Sequence, residues 1–447
     1  MVMAEWVGRP ATEIANAVRS GVVTASEVVA EHLDRIAKLN AELGAFVRVR
    51  QAEAAREAAE VDARADRASL KLAGVPVAIK DSVPVAGEPM RLGSAATPGT
   101  AQEKDHPVVA RLREAGAVVV GLTNLPEMSI YPFTDSSFGI ARNPWDRSRT
   151  AGGSSGGSAA AVSSAMVPLA HGTDGLGSVR IPAAACGIFG IKPGTGVVPA
   201  RIGVDSWGGL LENGALATTV ADAALMLEVM ADARFDLTEP AGLRLAVSVK
   251  PPPGVLMHRT CVAAVRQYAD LLASLGHIVE TEDPAYPLWM TPALIACWFA
   301  CATRDARPYL AGLEDRTRRH VRAGRMVRRV RPSLDRDRER FRAVLTPLFD
   351  RHDVLVMPSL ARPCPSARRW GEGSWLRSVA VSLMFAPMTG MWNMAGFPAA
   401  SVPARPAAGL PGSVQLVAAP GGESVLLALA AQLESAGGWR RHAPAYE

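Results

Sequence analysis

Three serines and one lysine are the residues whose type and setting could do chemistry. Ser154 and Ser155 lie in Gly152-Gly153-Ser154-Ser155-Gly156-Gly157, and Ser178 closes Gly172-Thr173-Asp174-Gly175-Leu176-Gly177-Ser178. Glycines this dense let backbone N–H groups converge on one point, because no Cβ blocks the approach. Hydroxyls at such a point suit either the binding of a phosphate or attack on a carbonyl whose oxyanion the N–H groups hold. The phosphate option lacks its partners. Neither cluster is followed by the lysine of a phosphate-binding loop, and no Gly-x-Gly-x-x-Gly follows a strand-like run with an acidic residue downstream. The Gly-x-Ser-x-Gly elbow does not fit the spacing either.

A serine is a poor nucleophile until something takes its proton. Lysine can do so where burial destabilises the ammonium and lowers its pKa. The chain has six lysines against 42 arginines, and Lys80 ends the apolar run Val75-Pro-Val-Ala-Ile79. There it would be poorly solvated; the plainer alternative is a surface lysine at a strand end. His171, seven residues before Ser178, offers a Ser–His pairing instead, against the reading of a packed core histidine.

These residues need a scaffold, and the hydrophobic pattern supplies one. Thr24-Ala-Ser-Glu27 reads as a capping box that opens a helix through Leu39, and a second helix runs from about Gln51 to Arg67. Val75–Ile79 reads as a strand, Val108–Ala115 as a helix and Ala117–Gly121 as a strand buried on both faces. Helices are expected at Thr219–Met230, Cys261–Leu275 and Glu423–Leu433, with strands at Leu243–Val249, His277–Glu280, Val354–Pro358, Ala400–Val402 and Gly412–Val417. The alternation indicates an α/β layer architecture. No repeat, low-complexity linker or compositional boundary divides it, so one interleaved domain is expected.

The 447 residues are 49% hydrophobic, enough for a sizeable core, and the net charge of +5 does not demand a nucleic acid partner. Twelve arginines fall between Arg316 and Arg342, with Asp335, Asp337 and Glu339 among the later ones. They read as a solvated helical face with internal ion pairs rather than as a patch for nucleic acid or an anionic substrate. Five scattered cysteines suit a reducing compartment. Cys297 and Cys301, four apart, read as buried small hydrophobes rather than a metal pair. The first eighteen residues have no apolar core of a signal peptide, and the uncharged window from Ser378 to Ala404 is broken by prolines and glycines. A cytoplasmic protein with no membrane partner is expected.

Gly74-Val-Pro-Val-Ala-Ile-Lys80-Asp81, Gly121-Leu-Thr-Asn-Leu-Pro-Glu127, Asn143-Pro-Trp145, Gly152–Ser158, Gly172–Arg180 and Gly187–Pro193, in that order, resemble the amidase signature family. The 24 residues from Ser154 to Ser178 and the 74 from Lys80 to Ser154 agree with it. The resemblance covers nearly the whole chain and is most specific over residues 74–193. It implies a single α/β domain over residues 1–447, with a central mixed β-sheet surrounded by helices, and a substrate-pocket region at about 285–395. It also implies hydrolysis of a carboxamide, with Ser178 acylated, Ser154 as the bridging serine after a cis peptide to Gly153, and Lys80 as the base. Backbone N–H groups of Gly175, Leu176, Gly177 and Ser178 would form the oxyanion hole. The backbone at Met128 would line the acyl site, Ser155 would be a supporting hydroxyl, and an Asp174–Arg180 ion pair would brace the loop. No metal or organic cofactor is implied, the substrate is a small-molecule amide, and a homodimer is left open. By the same analogy Trp298, Trp370, Trp375, Phe385 and Trp392 would wall the pocket and suit an apolar or aromatic acyl part.

One position departs from the family pattern. Leu176 stands where the family usually has glycine, and a left-handed backbone there would strain leucine by about 1–2 kcal/mol. Two other functions share the motifs: an amidotransferase subunit that makes ammonia with a partner, and an inactive member serving as a binding scaffold.

Overall fold

A computed structural model describes residues 6–331, 334–407 and 409–446, so the first five residues of the region read for a signal peptide lie outside it. Eleven strands pair into one sheet. They are β1 (Phe46–Val49), β2 (Pro76–Lys80), β3 (Val118–Thr123), β4 (Leu169–Asp174), β5 (Phe189–Lys192) and β6 (Glu212–Ala217). The second half of the chain adds β7 (Arg244–Val247), β8 (Ile278–Thr281), β9 (Val354–Pro358), β10 (Ala399–Ala407) and β11 (Leu410–Ala418). Their order across the sheet is β1-β3-β2-β4-β6-β5-β10-β11-β9-β7-β8. The sheet is mixed. β2 runs parallel to β3 and β4, and β7 parallel to β8 and β9, whereas β4, β6, β5, β10, β11 and β9 pair antiparallel in turn. Helices surround it, as expected of a single-domain α/β fold.

Local chemistry sets the helix ends. The Thr24–Glu27 capping box forms both of its bonds, and the helix it opens runs over Ala25–Leu43 to the left-handed Gly44. The second helix stops at Ala63, short of the expected Arg67, and the guanidinium of Arg64 folds back onto Asp66 at 2.8 and 2.7 Å. The arginine-rich stretch is two helices, Asp315–Val330 and Asp335–Phe349. The helix Gly156–Ser163 is buried along its whole length, which its glycines, alanines and serines permit. It packs against β4 and carries the first glycine cluster into the centre of the fold. Among the described residues no helix is long and apolar enough to cross a membrane.

Candidate active site

The C-terminal ends of β2 and β4 bring the first two groups together. The strands run side by side with Ala78 opposite Ala170, so Lys80 at the end of β2 and Thr173 near the end of β4 come together. The Lys80 side chain is fully buried, with Nζ 2.7 Å from Ser154 Oγ, 2.8 Å from Thr173 Oγ1 and 3.3 Å from the Thr173 carbonyl. Burial lowers its pKa to about 7, and the negative charge of Asp174 only partly opposes that. A large fraction of the amine is therefore neutral near pH 7, with a lone pair facing hydroxyls.

The Gly153–Ser154 peptide is cis. Ser155 then ties the two glycine clusters to each other: its N–H donates to the Ser178 carbonyl at 3.1 Å and its hydroxyl to the Thr173 carbonyl at 3.3 Å. Ser178 is half-buried and faces a cavity. Among the hydrogen bonds of the described residues none joins the Ser154 and Ser178 hydroxyls.

The loop that carries Ser178 is organised by one carboxylate. Asp174 is fully buried and accepts from Gly177 N–H at 2.6 Å, Val179 N–H at 3.1 Å and Asn393 Nδ2 at 2.9 Å. Arg180 adds two bonds at 3.0 Å each, in a side-on ion pair. Burial works against this charge, yet the guanidinium overrides it and holds the carboxyl well below its ordinary range. Arg180 in turn donates to Gln415 Oε1 at 2.7 Å, to Asn393 Oδ1 at 2.5 Å and to the Thr389 carbonyl at 3.1 Å. These three distant partners carry no local motif.

Gly177 is the left-handed position of the loop, with φ of 125°, and a Cβ there would collide with Thr389 Oγ1. Leu176 is not left-handed, so the strain considered for it does not arise. The N–H of Gly177 is engaged by Asp174, which removes it from the expected set of oxyanion donors. The N–H groups of Gly175, Leu176 and Ser178 meet no acceptor among the described residues. Trp207 lies flat against Gly175, where an added Cβ would come within 2.5 Å of the ring. Its indole N–H donates to the Met128 carbonyl at 3.3 Å, so Met128 (φ 54°) reaches the site through Trp207. The backbone of Trp207 is held by Asp305 Oδ2 at 3.0 Å, while Asp305 Oδ1 takes the N–H groups of Val204 and Asp205.

The other candidates lie elsewhere. His171 is buried in mid-strand with Nε2 2.8 Å from Asn213 Oδ1, and burial drives its pKa down to about 3. Cys297 and Cys301 are buried with their sulfurs 3.4 Å apart, and no group of three or more His, Cys, Asp or Glu gathers at metal spacing among the described residues. Several arginines of the stretch form surface ion pairs close by in the chain, as expected, for example Arg319 with Asp315 and Arg331 with Asp337. Arg316 is the exception. It is fully buried against Asp135 at 3.0 Å, with its guanidinium 4.3 Å from the centre of the Tyr131 ring.

A cavity of about 270 Å³ opens beside Ser178. Of the five aromatic residues expected to wall it, only Trp298 does. Trp370 stacks on Phe133, Trp392 on Phe397, and Trp375 and Phe385 also lie outside the lining; the core takes Trp370, Phe385 and Trp392 because large rings bury the most apolar area. Tyr131, Trp207 and the segment Pro252–Val255 line it instead. For Trp207 the one available signal was its place among Gly203, Gly208 and Gly209, which marks a tight loop.

The sequence model of the amidase family matches residues 27–427. The chain is 40% identical to "Putative amidase AmiB2" of Mycobacterium bovis, with 96% of each chain covered. It is 32% identical to an acylamidase of Rhodococcus erythropolis, with 97% of each covered. Among solved structures, that of 6-aminohexanoate cyclic dimer hydrolase superposes with a TM-score of 0.86 at 28% identity, covering 98% of this chain and 99% of the other.

Proposed function

This chain belongs to the amidase signature family, as an amidase acting on amides, and from that premise we propose that it hydrolyses a carboxamide through an acyl-enzyme on Ser178. The observation that carries the proposal is the buried Lys80 amine, 2.7 Å from Ser154 and with its pKa lowered to about 7. Neutral Lys80 takes the Ser154 proton as the Ser154 hydroxyl takes that of Ser178. The Ser178 oxygen bonds to the amide carbon, and the carbonyl electrons move to its oxygen. The N–H groups of Gly175, Leu176 and Ser178 stabilise that oxyanion, each worth roughly 10²–10³ in rate. The proton then returns through Ser154 to the amide nitrogen, the C–N bond breaks, and ammonia or an amine leaves. Water attacks the ester by the same route and frees the carboxylic acid.

Ser155, Asp174 and Arg180 hold this loop in place and take no proton in the scheme. A fluorophosphonate should add once, on Ser178, as read by intact mass and peptide mapping. Hydrolysis of amides should vanish in Ser178→Ala. Adduct formation on another residue, or undiminished activity of that variant, would end the proposal.

A further inference from the structure

The cavity beside Ser178 has a composition that the amidase reading alone does not dictate. Among the described residues that line it none carries a charge, and its polar groups include the neutral hydroxyls of Ser178, Thr291 and Ser382. The Ser382 hydroxyl is engaged by the Ser378 carbonyl at 2.8 Å. A carboxylate or ammonium placed there would lose its water and meet no counter-charge, so its burial is heavily penalised. The volume also decides something. An apolar cavity of about 150 Å³ holds a benzene molecule. The present one, at about 270 Å³, has room for a ring with a short chain.

Leu176 shapes the end of the cavity that Ser178 shares. It fills space that Gly390 leaves open: a Cβ at Gly390 would come within 3.3 Å of Leu176 Cδ2 and 3.0 Å of Leu294 Cδ1. The leucine found in place of the usual glycine is therefore accommodated by a missing side chain on the facing helix, Gly390–Ala395, and becomes part of the wall.

We propose, resting on the reading of Ser178 as the acylated residue, that the cavity selects amides whose acyl part is uncharged, apolar and about the size of an arylalkyl group, and that Leu176 limits branching next to the reacting carbon. The experiment uses the full-length protein, with fluorophosphonate labelling of Ser178 as an independent check of the site. Hexanamide and 3-phenylpropanamide are compared with adipic acid monoamide and L-glutamine by ammonia release. The neutral pair should exceed the charged pair in kcat/KM by at least about a hundredfold.

In Leu176→Ala the ratio of kcat/KM for 2-methylhexanamide over hexanamide should rise about tenfold, the discrimination that one methylene commonly carries. Because both substrates meet the same variant, a general loss of activity cancels in the ratio. Labelling of Ser178 with equal or better turnover of the charged amides, or an unchanged ratio in the variant, overturns the inference while leaving the acyl-enzyme intact. Absence of both labelling and hydrolysis overturns the two together.

Discussion

A lysine that is fully buried and only partly charged near neutral pH is held there at a cost in stability. The Lys80 pKa falls from an ordinary 10.5 to about 7, and burial is the cause. Between those values the unfolded chain binds a proton that the folded chain does not, so stability rises with pH across that window, by at most about 1.4 kcal/mol per unit. Lys80→Met removes the penalty while keeping the length of the side chain. The variant should gain most over wild type at pH 6, and the gain should shrink by pH 9, as read from urea unfolding at both values. The hydrogen bonds to Ser154 and Thr173 are lost at both, so the pH dependence is the informative part. Amide hydrolysis should fall by about 10²–10⁴ in the same variant. The burial of Lys80 was legible in the sequence, since it ends an apolar strand in a chain poor in lysine. That Gly177 gives its N–H to Asp174 was not, because a glycine-rich loop does not announce which N–H groups face inward.

At the scale of elements, the 174–180 loop is supported from residues more than 200 positions away. Arg180 joins Asp174 to Thr389, Asn393 and Gln415 in a network with no access to solvent. Removing one partner of a buried ion pair leaves the other charge stranded, which costs about 3–5 kcal/mol. Arg180→Met should destabilise the protein by that amount in urea unfolding, and a loss below about 1 kcal/mol would show the pair to be incidental. Periodicity placed the helices and strands it named to within a few residues, and the Asp174–Arg180 pair was expected from the family resemblance. The cavity walls did not follow. Trp370 and Trp392 serve the core, whereas Trp207 reaches the site only because Asp305, about a hundred residues on, pins its loop. Partners so far apart leave no local pattern.

At the scale of the whole molecule, one sheet runs through both halves of the chain. β5, at the end of the most recognisable stretch, lies between β6 and β10, and β10 pairs with β11. The α/β class was visible in the alternation of elements, but this strand order was not, because antiparallel closure by a C-terminal hairpin depends on contacts that periodicity cannot report. We propose a single folding unit over the chain. Residues 74–193 expressed alone should then show no cooperative unfolding by circular dichroism and no protease-resistant core, since β5 has both neighbours outside the fragment and Arg180 loses three of its acceptors. A protease-resistant, cooperatively melting fragment would instead make the core an independent domain.

The central claim is that a neutral Lys80 activates Ser178 through Ser154. Its most direct test is the rate at which a fluorophosphonate modifies Ser178, followed by intact mass from pH 5 to pH 9. The rate should climb about tenfold per unit below an apparent pKa close to 7 and level off above it. A rate that stays flat across this range would contradict the account.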